Sequence, residues 1–221
     1  PGNGPRYECQ KIMELEGHTE TVEFIKFNFD GKLCVTGGMN NVLRVWQVQE
    51  NKDAMKANYS MTLKCVLANG PADTEDINFV EWHPKGNAVL CGGKDYMLWL
   101  MNGATGDFLA SLSGHEGEVL CAKFTHLNGG KQIVSSSADK TIRVWSPIKQ
   151  ECLQVIRKNK LNQHFHEVDI NIIELHPSRP VVVSGDLNGT VCVSSYLTGE
   201  VGGILGKHTD SVESIAFCLH P

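Results

Sequence analysis

Four stretches of the chain are built on one plan: a short apolar run, a tight polar turn, then strict alternation. They are VTGGMNNVLRVWQV (Val35–Val48), LCGGKDYMLWLMNG (Leu90–Gly103), VSSSADKTIRVWSP (Val134–Pro147) and VSGDLNGTVCVSSY (Val183–Tyr196). A period of two is the mark of a strand, and Gly, Asn and Asp at the centre supply the dihedrals of a hairpin turn. Trp46 and Trp145 close the first and third copies, while Met101 and Ser194 stand in that slot in the second and fourth. A hairpin of this kind cannot bury itself alone, so each copy needs its neighbours.

A second anchor precedes each copy. EGHTETVEFIKF (Glu16–Phe27) and SGHEGEVLCAKF (Ser113–Phe124) share a Gly-His, a Val four residues on and a Phe five further. FHEVDINIIEL (Phe165–Leu175) and KHTDSVESIAF (Lys207–Phe217) keep the spacing without the Gly, and PADTEDINFVEW (Pro71–Trp82) keeps it with Asp73 in the His position. These positions, 18, 73, 115, 166 and 208, lie 55, 42, 51 and 42 residues apart. A loose period in the forties holds four short strands per unit, which predicts an all-β propeller. The blades fall at about 8–48, 60–103, 107–147 and 151–196, with 200–221 opening a further one. ECQKIMEL reads as the outer strand of the first blade, and neither end supplies the inner strands that the fifth lacks. Open blades leave unpaired edges, so the expectation is about four and a half blades of a seven- or eight-bladed ring rather than a closed four-bladed one.

The Gly-His and the terminal Trp are the features by which the chain resembles the WD-repeat family. That resemblance implies a buried hydrogen-bonded set in each blade. The matching residues are His115, Ser135, Asp139 and Trp145 in the third repeat, and His18, Thr36, Asn40 and Trp46 in the first. The fourth offers His166, Ser184 and Asn188 without a Trp. An unpaired buried polar group costs about 1–3 kcal/mol, so the second and fourth blades are expected to be less well tied than the complete third. CVSSYLTGEVGGIL, the EWHP of the second blade and SVESIAFC further resemble the angio-associated migratory cell protein family, across nearly the whole chain. A yeast relative in that family is a dedicated chaperone of a ribosomal protein. The resemblance therefore implies a protein-binding propeller that chaperones a ribosomal protein during large-subunit assembly. The alternative is a general scaffold for signalling or cell-migration complexes.

The residues argue against an enzyme. His115, Ser135 and Asp139 have the composition of a hydrolase triad, but their place in the repeat and their Trp partner give them a structural role, and no G-x-S-x-G elbow exists. Gly92-Gly93-Lys94 lacks the rest of a phosphate-binding loop. His164 and His166 point to one side of a strand entry without a third ligand, so neither a metal nor any other cofactor is expected. His83-Pro84 and His176-Pro177 occupy matching positions and read as turns. Nothing implies a small-molecule substrate. The eight cysteines are scattered without a C-x-x-C pair and sit mostly in apolar runs, so they read as reduced core thiols of a cytoplasmic protein, with the nucleus as a further compartment. No apolar run is long enough to cross a bilayer as a helix, so no membrane insertion is expected.

Charge carries the remaining information. Net charge is −5, which disfavours direct binding of nucleic acid. The six residues that start at each His position are HTETVE, DTEDIN, HEGEVL, HEVDIN and HTDSVE. They hold Glu20, Glu23, Asp73, Glu75, Asp76, Glu116, Glu118, Glu167, Asp169, Asp210 and Glu213, which is 11 of the chain's 25 acids, and no Lys or Arg. In a propeller all five segments return from the outer to the inner strand at one end, near the axis. Lys52, Lys56, Arg157, Lys158 and Lys160 are expected elsewhere, leaving one face acidic. Such a face would capture a Lys/Arg-rich segment of a protein partner.

Overall fold

A computed structural model of the chain describes residues 11, 13–38, 42–50, 59–68, 77–160 and 162–218. Among them, sixteen strands form four antiparallel four-stranded sheets, and no helix is long and apolar enough to cross a membrane. The first sheet takes β1 (Val22–Phe27), β2 (Leu33–Gly38), β3 (Val42–Glu50) and β4 (Tyr59–Ala68). The second takes β5 (Ile77–Trp82), β6 (Ala88–Gly93), β7 (Leu98–Asn102) and β8 (Phe108–Leu112). The third takes β9 (Val119–Phe124), β10 (Ile133–Ser137), β11 (Ile142–Ser146) and β12 (Glu151–Ile156). The fourth takes β13 (Ile170–Leu175), β14 (Val181–Asp186), β15 (Thr190–Ser195) and β16 (Val201–Lys207).

The hydrogen-bonded sheets are offset by one strand from the blade units expected at 8–48, 60–103, 107–147 and 151–196. Tyr59–Ala68 pairs back onto β3, from Val42 opposite Ala68 to Glu50 opposite Tyr59, rather than opening the second sheet. The turns explain the offset. The amides of Thr105 and Gly106 both donate to the Asn102 carbonyl, which closes a short link from β7 to β8. A longer segment carrying the His position leads from β8 to β9, and the next sheet starts after it. For the same reason Val201–Lys207 completes the fourth sheet.

The sheets stack in chain order because their second strands are apolar on both faces. Nearly every residue of β2, β6, β10 and β14 is buried, so these strands lack the alternation of a half-exposed sheet. Leu33, Val35 and Val45 of the first sheet pack with Val80, Trp82 and Val89 of the second. Leu90 and Leu98 of the second pack with Val119, Phe124 and Ile133 of the third. Val134 and Ile142 of the third pack with Ile170, Ile173 and Val182 of the fourth. The first sheet has one face that no described residue covers: Val22, Ile25 and Phe27 are exposed, whereas Val119, Ala122 and Phe124 at the matching positions of β9 are buried. The architecture is that of part of an all-β propeller.

The first strand of each sheet lies beside the next along one line. Lys26, Glu81, Lys123 and Glu174 are the fifth residues of β1, β5, β9 and β13, and they form a ladder of alternating charge. Lys26 donates to Glu81, and the Lys123 ammonium lies 3.9 Å from Glu81 and 2.9 Å from Glu174. Burial alone would lower the Lys123 pKa, but the two carboxylates outweigh it and hold it above the usual range, so Lys123 stays charged. Ala216 takes the corresponding place in the following segment.

That segment docks on the fourth sheet. Val212 is buried, its amide donates to the Asp186 carbonyl, and the His208 amide donates to the Gly189 carbonyl. A Cβ at Gly185 would lie 2.5 Å from Val212 Cβ and Cγ1. Gly185→Ala is therefore expected to destabilise the protein by about 1–3 kcal/mol through overpacking. A urea-unfolding midpoint equal to that of the parent would show that Val212 does not sit there.

Candidate functional site

The segments that carry the His positions come together at one end of the stacked sheets. Asn78 Nδ2 donates to the Val119 carbonyl at 3.1 Å, and Asn171 Nδ2 donates to the Val212 carbonyl at 3.1 Å. Each bond ties the start of one first strand to the start of the next. The loops ahead of β1, β9 and β13, and the segment 208–213, therefore share a rim. The turns between second and third strands meet the same rim, because the His side chains reach them.

In the third sheet the polar set is closed. Trp145 Nε1–H donates to Ser135 Oγ at 2.8 Å, the Ser135 hydroxyl donates to His115 Nε2 at 2.7 Å, and His115 Nδ1–H donates to Asp139 Oδ2 at 2.8 Å. The amides of Glu116 and Thr141 and the Thr141 hydroxyl also donate to Asp139. Burial holds the His115 pKa below its usual value, so the ring is neutral, with a single tautomer set by Trp145 at the far end of the chain of donors. Burial would raise the Asp139 carboxyl, but the donors from His115, Thr141 and Glu116 outweigh it and hold the pKa well below the usual range.

The fourth sheet corrects the identity of its acid. His166 Nδ1–H donates to Asp186 Oδ2 at 2.8 Å and Ser184 donates to His166 Nε2 at 2.7 Å, so the acid is Asp186 and not Asn188. In the third sheet Ser137 accepts the Asp139 amide and caps the turn, which leaves Asp139 to meet the histidine. In the fourth, Asp186 at the matching position does both jobs: its Oδ1 takes the amides of Asn188 and Thr190. The legible signal was the paired exchange of Ser137 and Asp139 for Asp186 and Asn188, which moves the acid by two residues. Ser194, in the place of the tryptophan, is buried, and its Oγ has no partner among the described residues. In the first sheet Trp46 donates to Thr36 at 2.8 Å and Thr36 to His18 at 2.7 Å, while Asn40 lies outside the described residues. In the second sheet Asp95 holds the turn and accepts Trp99 Nε1–H at 2.6 Å, a pair the sequence reading did not single out.

These sets have the distances of an acyl-transfer triad but not its access. Ser135 and Ser184 are fully buried, so no substrate atom reaches their oxygens. Both nitrogens of His166 are engaged, which removes it as a metal ligand. Described cysteines are free thiols, and burial pushes Cys34 and Cys192 up to about 11 and Cys91 up to about 12, far from thiolate chemistry at neutral pH.

The acids divide into three groups. Glu20, Glu23, Glu116, Asp210 and Glu213 are exposed, and Glu118 and Asp169 are half-buried. Asp73, Glu75 and Asp76 lie outside the described residues. Glu167 is exposed but paired: Lys158 donates to it, and Lys140 and Lys207 add to the field that lowers its pKa. This corrects the expectation that Arg157 and Lys158 lie away from the acidic end. They follow β12 directly, and that strand ends at the rim. The rim thus carries both signs, with acids foremost on the first and fifth segments and cations between the third and fourth sheets.

The description "WD domain, G-beta repeat" matches residues 9–47 and 106–146. The chain is 23% identical to the human angio-associated migratory cell protein across 94% of its own length and 46% of that protein's. It is 25% identical to the Arabidopsis thaliana pre-mRNA-processing factor 19 homolog 2 over 61% of the chain and 25% of that protein, and 28% identical to the Dictyostelium discoideum protein tipD over 63% and 20%. The chain spans about half the length of the angio-associated migratory cell proteins it matches.

The neutral histidines make stability depend on pH. Because burial lowers the pKa of His18, His115 and His166 below 6.5, the unfolded chain takes up protons first as pH falls. Stability is full above about pH 6.5 and declines as pH drops through the lowered values. His166→Gln can still donate to Asp186 and accept from Ser184, so it should flatten that decline in thermal melts between pH 7.5 and 5. Asp139→Ala leaves several buried donors unpaired and should cost about 3 kcal/mol in urea unfolding.

Proposed function

Because the chain is a WD-repeat protein, we propose that it is a non-enzymatic protein-binding propeller whose acidic rim holds a basic segment of a partner. The observation that carries this reading is the shared rim. Glu118 and Glu213 neighbour the carbonyls that Asn78 and Asn171 bridge, and Glu20, Glu23, Glu116 and Asp210 stand on the matching segments ahead of the first strands. Carboxylates of one sign around a common axis focus the field and favour Arg and Lys side chains, which pair with them bidentately or through three donors. Asp73, Glu75 and Asp76 are three further acids at the matching positions of the sequence. The finer proposal is that the guest is the basic tail of a ribosomal protein, held in the cytoplasm before large-subunit assembly. It rests on the resemblance to the angio-associated migratory cell protein family and on the need of such tails for shielding.

A second reading, a scaffold that gathers several partners, is favoured by the mixed charge of the rim at Lys140, Arg157 and Lys158. The two readings separate on one experiment. Glu20→Lys, Glu23→Lys and Glu118→Lys are combined, and binding of an Arg/Lys-rich synthetic peptide is followed by fluorescence anisotropy. Affinity is expected to fall roughly tenfold or more in the variant, and to weaken in the parent as salt rises towards 0.2 M, where the screening length is below about 10 Å. The melting temperature should be unchanged, since none of the three side chains holds the fold. Equal binding by parent and variant sinks the acidic-rim reading and leaves the scaffold. Mass spectrometry of co-purified proteins then decides the finer point, with a ribosomal protein as the expected dominant partner.

A further inference from the structure

Between the third and fourth sheets, on the rim, a cleft of about 380 Å³ is lined by the cations Lys140, Arg143, Arg157 and Lys158 and by the carboxylates Glu116, Asp139 and Glu167. We propose that this cleft is a binding site for a single anionic side chain, a carboxylate or a phosphate monoester, on a protein segment. The site is independent of the acidic-rim reading.

Arg143 is the organising group. Its guanidinium lies 5.9 Å from the centre of the Trp145 ring, and its Nη1 would be 3.1 Å from a Cβ at Gly114. Nε is 4.0 Å from Asp139 Oδ2, too far for a hydrogen bond, and this buried nitrogen has no partner among the described residues. Asp139 cannot serve it better, because its oxygens already take His115, Glu116 and Thr141. The result is a cation held in place by packing with donor capacity left over, which suits a planar oxyanion.

Lys140 and Arg157 complete the mouth. Both are exposed. Lys140 sits at φ 66°, a left-handed position where the matching residue of the fourth sheet is Gly189 at φ 81°. A lysine there is conformationally less favourable than glycine, so its side chain is carried on a strained turn at the edge of the cleft. Lys158 is already paired with Glu167, and an incoming oxyanion would exchange for that carboxylate.

The flanking acids define what does not fit. Glu116 and Glu167 repel the neighbouring charges of a polyanion, and the chain's net charge of −5 does the same at longer range. A nucleic acid is thus disfavoured, whereas a single anionic side chain with neutral or basic neighbours meets four cations against three carboxylates, of which Asp139 and Glu167 already have donors.

The test uses the blocked pentapeptide Gly-Gly-phosphoserine-Gly-Gly, its glutamate and serine counterparts, and an eight-nucleotide thymidine oligomer, each titrated calorimetrically into the protein and two variants. Lys140→Gly suits the turn, and Arg157→Gln changes an exposed side chain, so both should melt with the parent. The phosphoserine peptide is expected to bind the parent and to lose roughly tenfold in affinity in each variant. Tighter binding of the phosphoserine than of the glutamate peptide assigns a phosphate monoester, and equal binding of the two assigns a general oxyanion site. Equal binding of the serine peptide, no binding of either anionic peptide, indifference to both variants, or binding of the oligomer in preference to the peptides would overturn the proposal.

Discussion

A sheet that is covered on both faces loses stability for each polar group that it buries without a partner. That penalty shapes the third and fourth sheets. Ser135, His115 and the tryptophan indole are all carried into the interior, and each finds its partner within the same sheet. The last acceptor is an ionised carboxylate at the surface end of the chain of donors, so the network runs from core to rim. Its role is registry: the loop that bears His115 can lie in one place only, because Asp139 also holds the Glu116 amide of that loop and the turn of Thr141. Residues that present charge at the rim are thus positioned by hydrogen bonds beneath them.

The same logic gives the rim its mixed character. The loop before each first strand supplies acids, and the turn between second and third strands supplies whatever its left-handed position carries, which is Tyr96, Lys140 or Gly189 in successive sheets. The end of the last strand adds a third contribution, and in the third sheet that is Arg157 and Lys158. The three sources meet because the His side chain bridges loop and turn. A binding surface built this way is a mosaic whose sign changes from one sheet boundary to the next, over a scaffold that stays the same.

Much of this was legible in the sequence, and the exceptions have physical causes. The strands and the hairpin turns followed from spacing, and the complete set of the third repeat from the resemblance to the WD-repeat family. The outer strand was assigned one unit late, since an isolated alternating run does not state which neighbour it pairs with; the short turn at Asn102–Gly106 decides that. Asp186 was overlooked because a longer acid at the turn's first position can cap the turn and reach the histidine together, a trade between two positions that no single-residue match reveals. The charge of the rim was misjudged for a different reason. Lys158 is distant from the other rim segments by sequence unit, and only the ending of β12 at that rim brings it to Glu167.

The ladder of Lys26, Glu81, Lys123 and Glu174 has one further consequence. Strict alternation of two signs around a closed circle is possible only with an even number of members; an odd circle is frustrated and must place like charges side by side or insert a neutral site. Here the signs alternate over four strands, and the following segment carries Ala216 at the matching position of its sequence. A neutral residue at that place in the order adds a member that neither sign opposes, so the alternation can stop there without setting two like charges in succession.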